Sequence, residues 1–182
     1  MSIFNFFFIA EIFIFTLYVS PGISSNCFDG FDASKFFAQF DRGYTKFNSF
    51  NTYRVCEVFS RTDSQDNFKL NTYNISYGNL ASLPNRRRTQ QRLFQVQSPP
   101  NLVLQKQINN RVVTANMTLI YSEPGTCAIF RSNRYPTHCT LYVLTDTSDY
   151  DINRCTDLFP HICGNRLYNG ATSRECVGSK WF

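Results

Sequence analysis

Apolar and polar side chains alternate along much of the chain between residues 53 and 145. Residues 53–59 and 68–73 show this period of two most clearly, and it is typical of β-strands. Further extended segments are predicted at 92–97, 101–108, 111–121, 126–131 and 139–145. Loops separate them at 79–88, 98–100, 109–110 and 123–125. Seven strands at short, fairly regular spacing predict one antiparallel barrel or sandwich.

A helical spacing replaces the alternation at both ends of this region. Asp32 is a capping residue, and Ala33, Phe36, Phe37 and Phe40 form one apolar face, which predicts a short helix that stops near Gly43. A second helical pattern follows the strands, although a proline inside it must end or kink that helix. Its apolar positions are Ile152, Cys155, Leu158, Phe159 and Ile162, and the proline is Pro160.

The first 24 residues carry an apolar run followed by the small-residue segment Ser20–Ser24. This is the pattern of a secretory signal peptide, and we expect cleavage after Ser24. A retained membrane anchor is the alternative, because Glu11 interrupts the run and no Lys or Arg precedes it. No repeat or linker divides the remainder, which predicts a single domain over residues 25–182.

Composition adds one weak preference for a partner. The chain of 182 residues has a net charge of +5 at pH 7. This mild basicity favours approach to anionic surfaces or ligands without identifying any of them. Arg86, Arg87 and Arg88 form a basic triplet in a polar loop, where they are either solvated or bind a polyanion or partner.

Seven cysteines all follow the expected cleavage point. In a secreted chain this number predicts a disulfide framework. Zinc binding is the alternative, but the chain contains no C-x-x-C pair, and the spacings match no zinc motif. Because seven is odd, at least one thiol is free, mixed or intermolecular. The cysteines are Cys27, Cys56, Cys127, Cys139, Cys155, Cys163 and Cys176.

Two N-x-[ST] sequons begin at Asn74 and Asn116. Both are expected to accept glycan if they face solvent in the secretory pathway. Each could equally be an ordinary strand asparagine.

The order of these features resembles the salivary lipocalins of ticks, the group that includes the histamine-binding proteins. The carboxyl-terminal third carries most of the resemblance, and Asp32-Ala33 and Cys56 add to it. Its segments are Tyr121 to Cys127-Ala-Ile-Phe, Cys139-Thr-Leu-Tyr-Val, Asp157-Leu-Phe between Cys155 and Cys163-Gly164, Tyr168 and Cys176. The resemblance implies a mainly β fold, a disulfide-stapled eight-stranded antiparallel barrel with a short amino-terminal helix and a carboxyl-terminal helix. Another secreted barrel or sandwich of arthropod origin is the alternative.

The same resemblance implies disulfide pairs. Cys56 should bridge to Cys176, and Cys127 to Cys155. For Cys163 both Cys139 and Cys27 are candidate partners; the first is favoured and would leave Cys27 free.

A barrel of this kind can enclose one small ligand. The candidate cavity residues are aromatic and lie on predicted strands: Tyr53, Phe59, Phe68, Tyr73, Phe94, Tyr121, Phe130 and Tyr142. Any of them could instead be plain core. Arg54 and Arg111, and with less weight Lys69 and Arg131, could meet a carboxylate head group, although such side chains more often point outward.

The resemblance also implies a function. Tick salivary lipocalins sequester small mediators such as histamine, serotonin or leukotrienes, and some bind host proteins such as complement components. The amine-binding relatives place acids where this chain has Ala128 and Thr140, so a lipid or eicosanoid is favoured over histamine. A non-standard amine site at Glu57, or a surface that inhibits a host protein, are the alternatives.

Catalysis is not expected. His138 and His161 are the only imidazoles, and no nucleophile motif accompanies either of them. We expect no cofactor, no nucleic-acid partner and no membrane contact of the mature chain, which is predicted to be a secreted, extracellular monomer.

Overall fold

A computed structural model describes residues 30–52, 54–79, 87–109 and 112–169. Along the chain a short helix is followed by eight strands, a second helix and a two-residue strand. These elements are α1 (Ala33–Gln39), β1 (Arg42–Asn48), β2 (Arg54–Gln65), β3 (Leu70–Asn79), β4 (Arg88–Val96), β5 (Leu102–Gln107), β6 (Val113–Glu123), β7 (Cys127–Ser132), β8 (Cys139–Leu144), α2 (Asp149–Cys163) and β9 (Tyr168–Asn169).

The strands close into an eight-stranded antiparallel barrel. Each strand from β2 to β8 pairs with the next, and β1 pairs with both β8 and β2. The short β9 adds to the outer end of β1, where Asn48 is the register partner of Tyr168. The predicted eight-stranded barrel with a short amino-terminal helix and a carboxyl-terminal helix is confirmed.

Residues at both of its ends define the first helix, α1. The Asp32 carboxylate caps it by accepting a 2.9 Å hydrogen bond from the Ser34 amide. The helix ends at Gln39, earlier than the predicted stop near Gly43, because Gly43 already belongs to β1. α1 lies across one end of the barrel, where the Ala33 amide bonds to the Pro100 carbonyl in the β4–β5 turn. We call this the closed end.

The glycine at position 43 is required by this closure. A Cβ at Gly43 would lie 2.5 Å from the Val143 carbonyl oxygen and would also overlap the Phe40 ring. We expect Gly43→Ala to lower the free energy of unfolding by about 1–3 kcal/mol, the usual cost of overpacking. Urea unfolding measures it. Gly30→Ala is the control, since no atom of the described residues lies within 4 Å of a Cβ there. Equal stability of the two variants would contradict the prediction.

The second helix packs against the outer wall of β7 and β8. Ser148 caps it, and Ile152, Cys155 and Phe159 form its buried face. Pro160 lies inside the helix, which continues only to Cys163, so the proline is accommodated in the last turn. No helix in the described part of the chain is long and apolar enough to cross a membrane.

Two disulfides hold α2 to the barrel wall. They are Cys127–Cys155 and Cys139–Cys163, two of the pairs that the resemblance implies. Cys56 is also disulfide-bonded; its expected partner Cys176, like Cys27, lies outside the described residues.

Candidate functional site

The closed end of the barrel is filled by aromatic rings. Phe36 and Phe37 of α1 and Phe40, which follows it, enter the interior. The Phe37 ring lies 5.6 Å from that of Phe94 and 6.2 Å from that of Phe130, centroid to centroid. Tyr73 donates a 2.6 Å hydrogen bond to the Phe40 carbonyl, and burial raises its pKa. This aromatic plug leaves the closed half of the barrel as packed core.

The opposite end of the barrel holds a cavity of about 580 Å³. It opens where β1, β3, β5 and β7 end and β2, β4, β6 and β8 begin, and we call this the open end. Its volume lies in the range of small-molecule sites. The lining residues are Asn48, Phe50, Asn51, Thr52, Arg54, Glu57, Arg92, Gln105, Val113, Thr114, Ala115, Asn116, Met117, Phe130, Ser132, Arg134, Tyr135, His138, Thr140 and Tyr142.

Three charged side chains meet on the wall of this cavity. Arg54 donates to a Glu57 carboxylate oxygen at 3.1 Å, and Thr45 donates to the other oxygen at 3.0 Å. The Arg54 guanidinium also lies over the Tyr77 ring, 4.5 Å from its centroid. Both oxygens of Glu57 are therefore engaged, and Arg54 is held in place from two sides.

Arg92 is the second cation of the group and the more buried one, with 8% of its surface exposed. The side-chain amide of Gln90 is oriented with its oxygen toward the two arginines. That oxygen accepts hydrogen bonds from Arg92 Nε at 3.1 Å, from a terminal Arg92 nitrogen at 2.7 Å and from Arg54 at 3.2 Å. Burial lowers the pKa of Arg92. The positive charge of Arg54 lowers it further, whereas the negative charge of Glu57 raises it. The group carries two cations and one carboxylate, so it holds an excess positive charge in a poorly solvated place.

The remaining lining makes the cavity amphipathic. Tyr142 is buried, and burial together with Glu57 raises its pKa, so its hydroxyl stays protonated. Thr140 donates a 2.9 Å hydrogen bond to Asn48. Phe130 and Met117 supply apolar surface on the β6–β7 side. A ligand with one polar end and an apolar body therefore fits this lining better than a wholly polar one.

Aromatic rings form part of the mouth of the cavity. His138 stacks on Phe50 with centroids 4.5 Å apart, and its ring lies 4.9 Å from the tilted ring of Tyr135. The other histidine, His161, is exposed on α2. The described ranges also contain no group of three or more His, Cys, Asp or Glu that could hold a metal ion.

The structure brings only part of the predicted site residues to the cavity. Arg54, Phe130 and Tyr142 line it. Phe59, Tyr73 and Phe94 belong to the buried interior cluster around the plug, and Phe68 packs at its edge under Arg61, in the β2–β3 turn. Tyr53 and Arg111 lie outside the described residues.

Tyr121 does not face the interior, contrary to the prediction. A bulge between Leu119 and Tyr121 shifts the register of β6, so Tyr121 pairs with Ile129, on the outer side next to α2. There its hydroxyl donates to Glu123 at 2.8 Å.

Two of the weaker cation candidates also lie elsewhere. Arg131 donates to the Ile162 carbonyl of α2, outside the barrel. Lys69 is exposed in the β2–β3 turn at the closed end. Arg131 and Lys69 are therefore not among the residues that line the cavity.

The two positions that argued against an amine site do face inward. Ala128 is fully buried in the interior cluster, and Thr140 lines the cavity.

Of the two sequons, Asn116 is exposed at the rim and accepts a hydrogen bond from Asn133 at 2.8 Å, whereas Asn74 is half-buried on the outer side of β3. Glycosylation of either remains a prediction.

Sequence reasoning missed Arg92 and Gln105. Both lie on the inner register of their strands, Arg92 two residues before buried Phe94 and Gln105 two residues after buried Val103. The alternation that predicted an inward-facing Phe94 therefore also predicted an inward-facing Arg92.

Comparison with known proteins gives similarity in structure only. No protein-family model and no curated protein matches the chain. The fold is similar to Japanin from the tick Rhipicephalus appendiculatus, solved bound to cholesterol, with a TM-score of 0.53 and 13% identity over 71% of this chain and 90% of that one.

Two further solved structures are similar. AM182, solved as a serotonin complex, has a TM-score of 0.58 and 13% identity over 79% of this chain and 91% of that one. The cockroach allergen Per a 4 has a TM-score of 0.53 and 14% identity over 81% and 92%. Such low identities show the fold alone. Together with the closed barrel and its two helices, they establish that this chain has the lipocalin-type fold.

Proposed function

We propose that the protein binds a small amphipathic molecule whose anionic head group lies against Arg92 and Arg54 and whose apolar body lies along Phe130 and Met117. The observation that carries this proposal is the almost fully buried Arg92 guanidinium on the cavity wall. A carboxylate there would form charge-assisted hydrogen bonds and neutralise the excess positive charge. It would also raise the pKa that burial now lowers.

A biogenic amine fits this cavity less well. Glu57 is the one carboxylate among the described residues that line it, and both of its oxygens already accept hydrogen bonds, from Arg54 and Thr45. An ammonium would compete with Arg54 for Glu57 and would meet the repulsion of Arg92. The absence of acids at Ala128 and Thr140 supports the same preference.

We also propose binding without catalysis, in a secreted scavenger of a lipid or eicosanoid mediator, as in tick saliva. Solved structures of similar fold with bound cholesterol or serotonin support a carrier role. The apolar segment before Ser24 supports secretion. Capture of this kind is stoichiometric and needs no turnover.

Titration calorimetry with arachidonate, the matching fatty alcohol, histamine and serotonin tests the proposal. We expect the carboxylate to bind about tenfold or more tightly than the alcohol, because a hydrogen bond to a charged group contributes about 1.5–3 kcal/mol. The amines should bind weakly. Tighter binding of either amine than of arachidonate would contradict the proposal, and silence toward all four ligands would favour a surface that binds a host protein.

A further inference from the structure

Charge is distributed unevenly between the two ends of the barrel. The described loops and strand ends at the open end contribute the cations Arg54, Arg87, Arg88 and Arg134, and Glu57 inside the cavity is the one acid among them.

The closed end and the helix beside it have the opposite character. They carry eight described acids against the five cations Lys35, Arg42, Arg61, Lys69 and Arg154, two of which form ion pairs with Asp41 and Glu123. The acids are Asp32, Asp41, Asp63, Asp66, Glu123, Asp146, Asp149 and Asp151. The net charge of +5 therefore divides into a basic open end and a closed end with an excess of acids. Such a distribution orients the mouth toward an anionic surface.

Apolar side chains are exposed at the same mouth. Val112 and Val113 at the start of β6 are 54% and 49% exposed, and Tyr135 beside β8 is 48% exposed. Val113 and Tyr135 also line the cavity entrance. Arg134 lies over the Tyr135 ring, 5.2 Å from its centroid. The combination of arginines with exposed valine and an amphipathic tyrosine is suited to the boundary between lipid head groups and acyl chains.

We propose that the open end docks on the surface of a membrane that carries anionic lipid, with Arg87, Arg88 and Arg134 at the head groups and Val112, Val113 and Tyr135 entering the boundary. A dissolved polyanion would use the arginines but would gain nothing from the apolar side chains. A docked mouth would admit an amphipathic ligand directly from the lipid. This departs from the expectation that the mature chain makes no membrane contact.

Co-sedimentation of the secreted protein, without residues 1–24, with two kinds of vesicle tests the docking surface. One kind is phosphatidylcholine alone, and the other is phosphatidylcholine and phosphatidylserine in equal parts. We expect binding to the anionic vesicles that weakens as salt is raised, because surface charges are screened. Absence of binding to the anionic vesicles would overturn the proposal, whatever ligand titrations show.

Matched double variants locate the surface. Arg88→Gln with Arg134→Gln should lower the partition coefficient about 25-fold, since each arginine near an anionic surface contributes about fivefold. Lys35→Gln with Lys69→Gln removes the same charge from exposed positions at the closed end and should change binding by less than about twofold. Equal losses in both pairs would show that only net charge matters and would overturn the proposal.

A third double variant separates a membrane from a soluble polyanion. Val113→Ser with Tyr135→Ser keeps every charge but should lower the partition coefficient by about tenfold, through lost apolar burial. Unchanged vesicle binding of this variant, with heparin competing fully, would assign the basic surface to a polyanion instead. Unfolding midpoints equal to that of the unmodified protein confirm that these exposed substitutions leave the fold intact.

Discussion

Replacing Arg92 by Gln should weaken the binding of arachidonate by about 10- to 100-fold. The substitution removes the buried charge while keeping an amide that can still bond to Gln90. Loss of a charge-assisted hydrogen bond costs about 1.5–3 kcal/mol, and each 1.4 kcal/mol is about tenfold in the dissociation constant. The effect should be large because Arg92 is 8% exposed, so water screens its charge poorly.

The matched control is Lys69→Gln, which removes the same charge from the exposed β2–β3 turn. Its affinity for arachidonate should equal that of the unmodified protein. The fatty alcohol provides a second comparison, because its affinity should change little in Arg92→Gln. If the alcohol loses as much affinity as the carboxylate, Arg92 shapes the cavity and does not bind the head group.

Replacing Phe37 by Ala should lower the free energy of unfolding by about 3–5 kcal/mol, the usual cost of truncating a buried phenylalanine. Phe37 is 2% exposed and contacts the rings of Phe36, Tyr73, Phe94 and Phe130. The helix that carries Phe37 has only seven residues, and so short a helix is not stable alone. Packing against the barrel must therefore hold it in place.

Urea denaturation monitored by circular dichroism measures this loss. Tyr150→Ala is the control, since that ring is 84% exposed on a helix and should change stability by less than about 0.5 kcal/mol. A loss below about 1 kcal/mol in Phe37→Ala would mean that α1 does not plug the barrel.

Interruptions of strand periodicity explain where sequence reasoning failed. β1 was not predicted, and a bulge between Thr45 and Phe47 breaks its alternation. The bulge in β6 turned Tyr121 outward in the same way. A bulge adds one residue to a strand and so reverses the side that each later residue faces. No local pattern announces it.

Local patterns were sufficient for much else. Alternation predicted seven of the strands. Helical spacing predicted both helices, with a cap at Asp32 for the first, because these patterns depend on neighbouring residues. The order of cysteines, read through the resemblance, anticipated the pairs Cys127–Cys155 and Cys139–Cys163.

Short-range periods in the amino-acid sequence were sufficient to predict the class of fold, the helix faces and the inward position of Phe94, Phe130 and Tyr142. The folded structure was needed to show that α1 fills one end of the barrel, that Arg92 joins Arg54 and Glu57 on the cavity wall, and that cations gather at the mouth. These residues are far apart in the chain, and closure of the barrel brings them together. Whether a buried charge has a compensating partner therefore depends on the folded structure and not on its neighbours in the sequence.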